Sequence, residues 1–184
     1  METVLFELAR LKAAVAELRL LKGGTPVFNA LLIDTTLSPL YAVNRNYATD
    51  SGFNLVFPED RTFIAGETYK IDLGIAGAMR DGTGMRRGYF LLPRSSIHHT
   101  PLSMTNGLGL VDACYNGALQ VGIRVHDTYR DKEGSLHRIT EYKVYKGTSL
   151  FQVAAATLDP FQTVFVTQLD ATDRGSGGFG STNA

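Results

Sequence analysis

Asn106-Gly107-Leu108-Gly109-Leu110-Val111-Asp112-Ala113-Cys114-Tyr115-Asn116-Gly117 places a carboxylate at the end of a short apolar strand, an aromatic ring three residues later and a glycine two after that. A carboxylate in that position can orient and deprotonate water, the Tyr115 ring can pack against a sugar, and Gly117 allows close backbone approach. Read locally, the run also suits a β-hairpin in which Asp112 accepts turn amides and Tyr115 fills a core. The rest of the chain decides between the two.

Outward from this run the texture is β. Strand-like runs cover 27–33, 53–57, 68–73, 89–92, 119–125, 139–145, 149–155 and 163–167, divided by turn-like breaks such as Pro58-Glu59-Asp60, Ala65-Gly66, Asp81-Gly82-Thr83-Gly84 and Lys132-Glu133-Gly134. Many short strands with no regular helix between them predict a sandwich or barrel closed on itself. The one long helix expected spans about 3–22, where Val4, Leu8, Leu11, Val15 and Leu18 form a stripe that Gly23-Gly24 and Pro26 end. Leu5, Phe6, Leu20 and Leu21 broaden the stripe, which favours docking on the globular body over an isolated two-stranded coiled coil; a short trimeric helical bundle is the alternative.

The 184 residues suit a single domain that buries roughly 70% of its unfolded surface. Eighteen basic and eighteen acidic residues balance, which excludes a protein that holds nucleic acid through bulk electrostatics. One cysteine, Cys114, excludes an internal disulfide framework. No run reaches the length of a membrane span, and the N-terminus has no secretory h-region, so the expectation is a soluble protein of the cytoplasm or of a host-cell interior.

Two further segments carry phosphate chemistry. Arg94-Ser95-Ser96 follows the apolar run Phe90-Leu91-Leu92 and Pro93, setting a guanidinium and two hydroxyls where a strand ends. The last eleven residues, Arg174-Gly175-Ser176-Gly177-Gly178-Phe179-Gly180-Ser181-Thr182-Asn183-Ala184, form a glycine-rich arm. Such an arm stays mobile until something orders it. Its backbone amides, Arg174, Ser181 and Thr182 can surround a polyphosphate while Phe179 offers a flat face to a base.

Taken together these segments resemble the motifs of the trimeric deoxyuridine triphosphatases (dUTPases). The arm resembles the family's Arg-Gly-x-Gly-Gly-Phe-Gly-Ser-Thr-Gly, with Asn183 at the final glycine. Pro93-Arg94-Ser95-Ser96 resembles the second motif, and Gly109 to Gly117 the third, Gly-x-Ile-Asp-x-x-Tyr-x-Gly. Gly147-Thr148-Ser149-Leu150-Phe151-Gln152 stands for the fourth, with Thr148 and Ser149 replacing a charged pair. The first, Ser-Ala-Gly-Tyr-Asp-Leu, becomes Asp50-Ser51-Gly52-Phe53-Asn54-Leu55, so an amide occupies the acidic position.

The resemblance implies an all-β, jelly-roll or distorted-barrel subunit over 25–173 and a flexible closing arm over 174–184; the amphipathic helix expected over 1–24 is an addition that lies outside it. It implies a homotrimer with shared active sites, and Mg²⁺-dependent hydrolysis of dUTP to dUMP and pyrophosphate. In that scheme Asp112 activates water, and Gln152 and Arg174 assist at the phosphates. Arg94, Ser95, Ser96 and Ser181 also contact phosphate, with Gly180 and Thr182 in the closing loop. Tyr115 excludes a ribose 2′-hydroxyl, Gly117 allows close backbone approach to the substrate, Asn106 and Gly109 line the uracil slot, and Phe179 covers the base. Mg²⁺ is then held mainly by the triphosphate with Asn54 in its outer shell, or, alternatively, Asp50 compensates for the missing carboxylate.

Two rivals remain in view. The related dCTP deaminases need a glutamate shortly after the third motif, where this chain reads Gly117-Ala118-Leu119-Gln120-Val121-Gly122, with no titrating group. The alternative from another class is a dUTPase-like regulatory binding protein with weak or no catalysis, kept open by Asn54 and the extra helix. His98-His99, read as strand neighbours on opposite faces, is expected to be a surface pair, and Cys114 a bystander.

Overall fold

The computed structural model describes residues 24–43 and 49–173. The expected N-terminal helix and the arm from Arg174 lie outside the described residues. Within them the chain is almost entirely β, as the spacing of short apolar runs predicts. No strand exceeds six residues, and the ladders form three sheets and two ribbons, with no single closed barrel.

One sheet orders Gln162–Phe165, Val27–Leu32, Ile75–Arg80 and Arg86–Arg87. Val27–Leu32 runs parallel to the first and antiparallel to Ile75–Arg80. A second sheet orders Gly52–Leu55, Phe151–Ala155, Tyr89–Pro93 and Gly109–Val111, all antiparallel. A third orders Thr68–Asp72, Gln120–Val125 and Leu102–Met104. Thr128–Arg130 pairs with Leu136–Arg138, and Glu141–Val144 with Arg61–Ile64.

Alternation along the strands fills the core. Phe53, Leu55, Phe151, Val153, Leu91 and Val111 are buried, while Gly52, Asn54, Gln152 and Leu92 are half-buried on the other face. Phe28 is fully buried and meets Tyr89, Phe53 and Phe161 with ring centroids 5.4, 5.8 and 6.2 Å away. It lies over Gly77, where a Cβ would stand 2.1 Å from the ring, so the sheet is glycine there for lack of space. Truncating such a ring typically costs about 3–5 kcal/mol. The Tyr89 hydroxyl donates to the Gly77 carbonyl at 3.0 Å, satisfying its polar end inside the core.

Two expectations need correction. Regular helix is present after the first strand: a 3₁₀ turn, Thr35–Leu37, leads into the α-helix Ser38–Val43. Asp34 caps the turn by accepting from the Thr36 amide at 3.0 Å. Leu37 and Tyr41, four residues apart, bury on one side, and Tyr41 stacks on Phe53 at 5.5 Å. Its hydroxyl accepts from the Val56 amide at 3.3 Å, and burial pushes the phenol up to about 12. A helix this short is marginal alone, even with Pro39 suited to its first turn, so the segment is helical because the core takes up its side chains. The second correction concerns strands outside the expected runs, namely Arg61–Ile64, Arg86–Arg87, Leu102–Met104, Thr128–Arg130, Leu136–Arg138 and, most central to the core, Ile75–Arg80. Five of its six residues are buried, so it shows no alternation to read.

Candidate functional site

Four separated segments become four adjacent strands of the second sheet. Asn54 lies directly opposite Gln152, and Gln152 lies opposite Leu92 on its other side. Leu91 in turn pairs with Gly109. The strand carrying Asn54, the strand carrying Gln152, the strand ending at Arg94 and the strand ending at Asp112 are thus stitched side by side. Gly52 admits the Gln152 side chain, since a Cβ at 52 would stand 2.5 Å from Oε1.

Beyond the ends of three of these strands, the Ser149 carbonyl gathers the basic segment. Arg94 Nη1 donates to it at 2.8 Å and the Ser96 hydroxyl at 3.4 Å, while the Arg94 amide donates to Leu150 O at 2.8 Å. The Ser149 hydroxyl donates to Leu55 O at 2.8 Å. Sequence reading treated Ser149 only as the loss of a charged pair. In the fold its main chain and hydroxyl fix Arg94 against the end of the first motif's strand. Ser95 is exposed at the start of the 3₁₀ turn Ser95–His99.

His98 and His99 belong to that turn and not to a strand, so the opposite-faces argument does not apply to them. Their ring centroids are 5.2 Å apart. Among the described residues no three His, Cys, Asp or Glu side chains converge as metal ligands.

A cleft of about 230 Å³ opens at the other end of the sheet. Leu91, Met104, Gly109 and Val111 wall it, Asn106 and Leu110 stand at its hairpin side, and Asp112 and Tyr115 border it together. Gly107, with φ of 63°, makes the turn that brings Asn106 there. Asp112 is exposed and heads a turn in which its carbonyl accepts from the Tyr115 amide at 3.1 Å. Tyr115 is held by its own hydroxyl, which donates to Ala118 O at 2.8 Å. Of the residues singled out from sequence, Asn106, Gly109, Asp112 and Tyr115 line this cleft, and Gly117 packs against the Tyr115 ring. Sequence reading missed Met104 and Leu119, which are apolar residues of another sheet or loop with no local mark of a site.

The two groups of residues are not brought together within the chain. Leu91, Gly109 and Val111 turn toward the cleft, whereas Asn54, Gln152 and Leu92, offset by one position, turn to the opposite face of the same sheet. Arg174, Phe179, Gly180, Ser181 and Thr182 lie outside the described residues.

The family model described as dUTPase matches residues 39–183. A deoxyuridine 5′-triphosphate nucleotidohydrolase of Nocardia farcinica is 33% identical over 139 residues, 74% of this chain and 75% of that protein. One from Thermobifida fusca is 30% identical over 161 residues, 86% and 82% of the two chains. The fold is similar to that of the Staphylococcus bacteriophage 80alpha dUTPase with dUpNHpp, at TM-score 0.52 and 23% identity over 84% of this chain and 96% of that one. It is also similar to a variant dUTPase of phage phi11 of S. aureus, described for the coordination of a structural Mg(II) ion, at TM-score 0.52 and 20% identity over 79% and 98%.

Proposed function

The chain belongs to the dUTPase family, and from that premise we propose that it hydrolyses dUTP to dUMP and pyrophosphate. The observation that carries this reading is the shared border of the cleft by Asp112 and Tyr115, with Gly117 beneath the tyrosine ring. The uracil ring enters between the 106–110 backbone and the apolar wall. Tyr115, locked by its bond to Ala118 O, closes the side of the sugar on which a 2′-hydroxyl would project.

Asp112 contacts the 3′-hydroxyl and takes a proton from the attacking water, whose oxygen bonds to the α-phosphorus as the bond to the bridging oxygen breaks and pyrophosphate leaves. Arg94, Ser95, Ser96, Gln152, Arg174 and Ser181 meet charge developing on the phosphate oxygens, and Phe179 stacks over the base. Gly180 and Thr182 shape the closing loop.

The side chains present suit a cation that arrives with its substrate: no three carboxylate, thiol or imidazole ligands converge among the described residues. Asn54 would offer such an ion one outer-shell carbonyl oxygen, and the chemistry supplied would be neutralisation of charge on the triphosphate.

The homotrimer with shared sites is supported by the opposite orientation of the cleft and of the Asn54–Gln152 row. A cleft from one copy and a phosphate-gripping face from another complete one site, and one chain alone leaves them on two sides of a sheet. A phosphate-release assay coupled to inorganic pyrophosphatase, run with dUTP, UTP and dCTP in Mg²⁺, tests the function. Turnover of dUTP alone is expected. Nucleotide binding without turnover would favour the regulatory alternative.

A further inference from the structure

We propose that Arg86 and Asn116 are positioning residues for the C-terminal arm, holding its root against the turn that carries Asp112 and Tyr115; the inference rests on the reading of the site given above. Arg80 and Arg86 are direct cross-strand partners. Two guanidiniums so placed repel unless each is held by an acceptor. Arg80 reaches the Asp170 carboxylate and the Gly84 carbonyl, the latter at 2.6 Å. Arg86 Nη2 donates to Asn116 Oδ1 at 2.6 Å, and Asn116 Nδ2 donates to the Asp170 main-chain carbonyl at 2.7 Å. Two residues further on, the Thr172 hydroxyl donates to Cys114 O at 2.5 Å.

Residues 170–172 are therefore laid along 114–116, directly after Asp112 in the chain. The network has a direction. A guanidinium can only donate and a carbonyl can only accept, so Asn116 must turn its oxygen to Arg86 and its nitrogen to Asp170. Arg86 Nε and Nη1 are enclosed and meet no acceptor among the described residues, so this arginine is not placed for the greatest number of bonds. What it does is orient Asn116. The arm begins at Arg174, two positions past Thr172. An extended chain advances at most about 3.6 Å per residue, so fixing residues 170–172 bounds how far Phe179 and the hydroxyls after it can reach. This places the root, and not the destination of the arm, which the shared sites of the trimer decide.

Removing Arg86 empties an enclosed site and risks the fold, so Asn116→Ala and Thr172→Val carry the test. Each is made in the full chain and in a chain lacking residues 174–184. In the full chain each lowers kcat/KM for dUTP about tenfold with an unchanged melting temperature. In the truncated chain neither causes a further loss. Equal losses in both backgrounds would mean that the two residues support Asp112 and Tyr115 directly, and would overturn the proposal. A second readout needs no dUTP turnover: trypsin cleavage after Arg174 in ligand-free protein becomes several-fold faster in Asn116→Ala than in the wild type. An unchanged cleavage rate overturns the proposal as well. A wild-type chain that turned over no dUTP would sink the proposed function, while the cleavage rates would still decide whether the root is held.

Discussion

Gly117 lies against the Tyr115 ring so closely that a Cβ at 117 would stand 2.4 Å from the Tyr115 hydroxyl oxygen and 2.6 Å from Cζ. The glycine is there for the tyrosine, and the tyrosine is held by its bond to Ala118 O. Gly117→Ala therefore displaces the ring. The expected result is a fall of about tenfold or more in the dUTP-to-UTP ratio of kcat/KM. Tyr115→Ala should relax the same ratio. An unchanged ratio with gross unfolding in both variants would make Tyr115 a core residue only.

Asp112→Asn should keep dUTP binding, because an amide still hydrogen-bonds the sugar, and lose about 10²–10⁴ in kcat, because it cannot take a proton from water. Asp112 is exposed, so the melting temperature should hold. Calorimetric binding beside steady-state kinetics separates the two effects. Near-normal turnover would remove Asp112 from its role.

Asn54→Asp should lower the Mg²⁺ concentration for half-maximal activity, by about tenfold, since a carboxylate adds charge where the amide offers a dipole. Asn54 is half-buried on the sheet face it shares with Gln152, so the change is not expected to disturb the core. Identical metal dependence in the two proteins would mean that position 54 lies away from the ion.

Deleting 174–184 should leave the stability of the body within about 0.5 kcal/mol of the full chain, because the strands that build the core end before it. Turnover should fall severely as Arg174, Phe179 and Ser181 are lost. In the intact protein, proteolysis between Gly175 and Gly178 should be suppressed by a non-hydrolysable dUTP analogue and not by its UTP counterpart. Full activity in the truncated chain would dispose of the closing role.

The Asp81 turn supplies a pH test. The Thr83 hydroxyl above all, then Arg87 and the Thr83 and Met85 amides, holds the Asp81 carboxyl down at about 2. A depressed carboxyl contributes order that is present above its ordinary value near 3.8 and is lost as pH falls through about 2. Protection of the Thr83 and Met85 amides, taken relative to the intrinsic exchange rate at each pH, should fall across that window and be low at neutral pH in Asp81→Asn. Protection persisting below it in the wild type would detach the turn from Asp81.

Residue order alone marked about half of the strands and suggested a chemistry for each short motif. Phe53, Leu55, Phe151 and Val153 alternate with polar neighbours, and alternation marks a half-buried strand without knowledge of its partner. Asp112, Tyr115 and Gly117 were legible because their spacing falls within one turn, where contact follows from local geometry. The helix Ser38–Val43 and the strand Ile75–Arg80 were not legible: the first is too short to nucleate alone, and the second is buried on both faces. Only the tertiary structure set Asn54 opposite Gln152, 98 positions away in sequence, and carried Ser149 to Arg94. It alone turned the cleft and the Gln152 row to opposite faces, and joined Arg86 through Asn116 to Asp170. Those relations depend on strand register and on which side of a strand a side chain occupies, and register is chosen by the burial of the whole sheet at once.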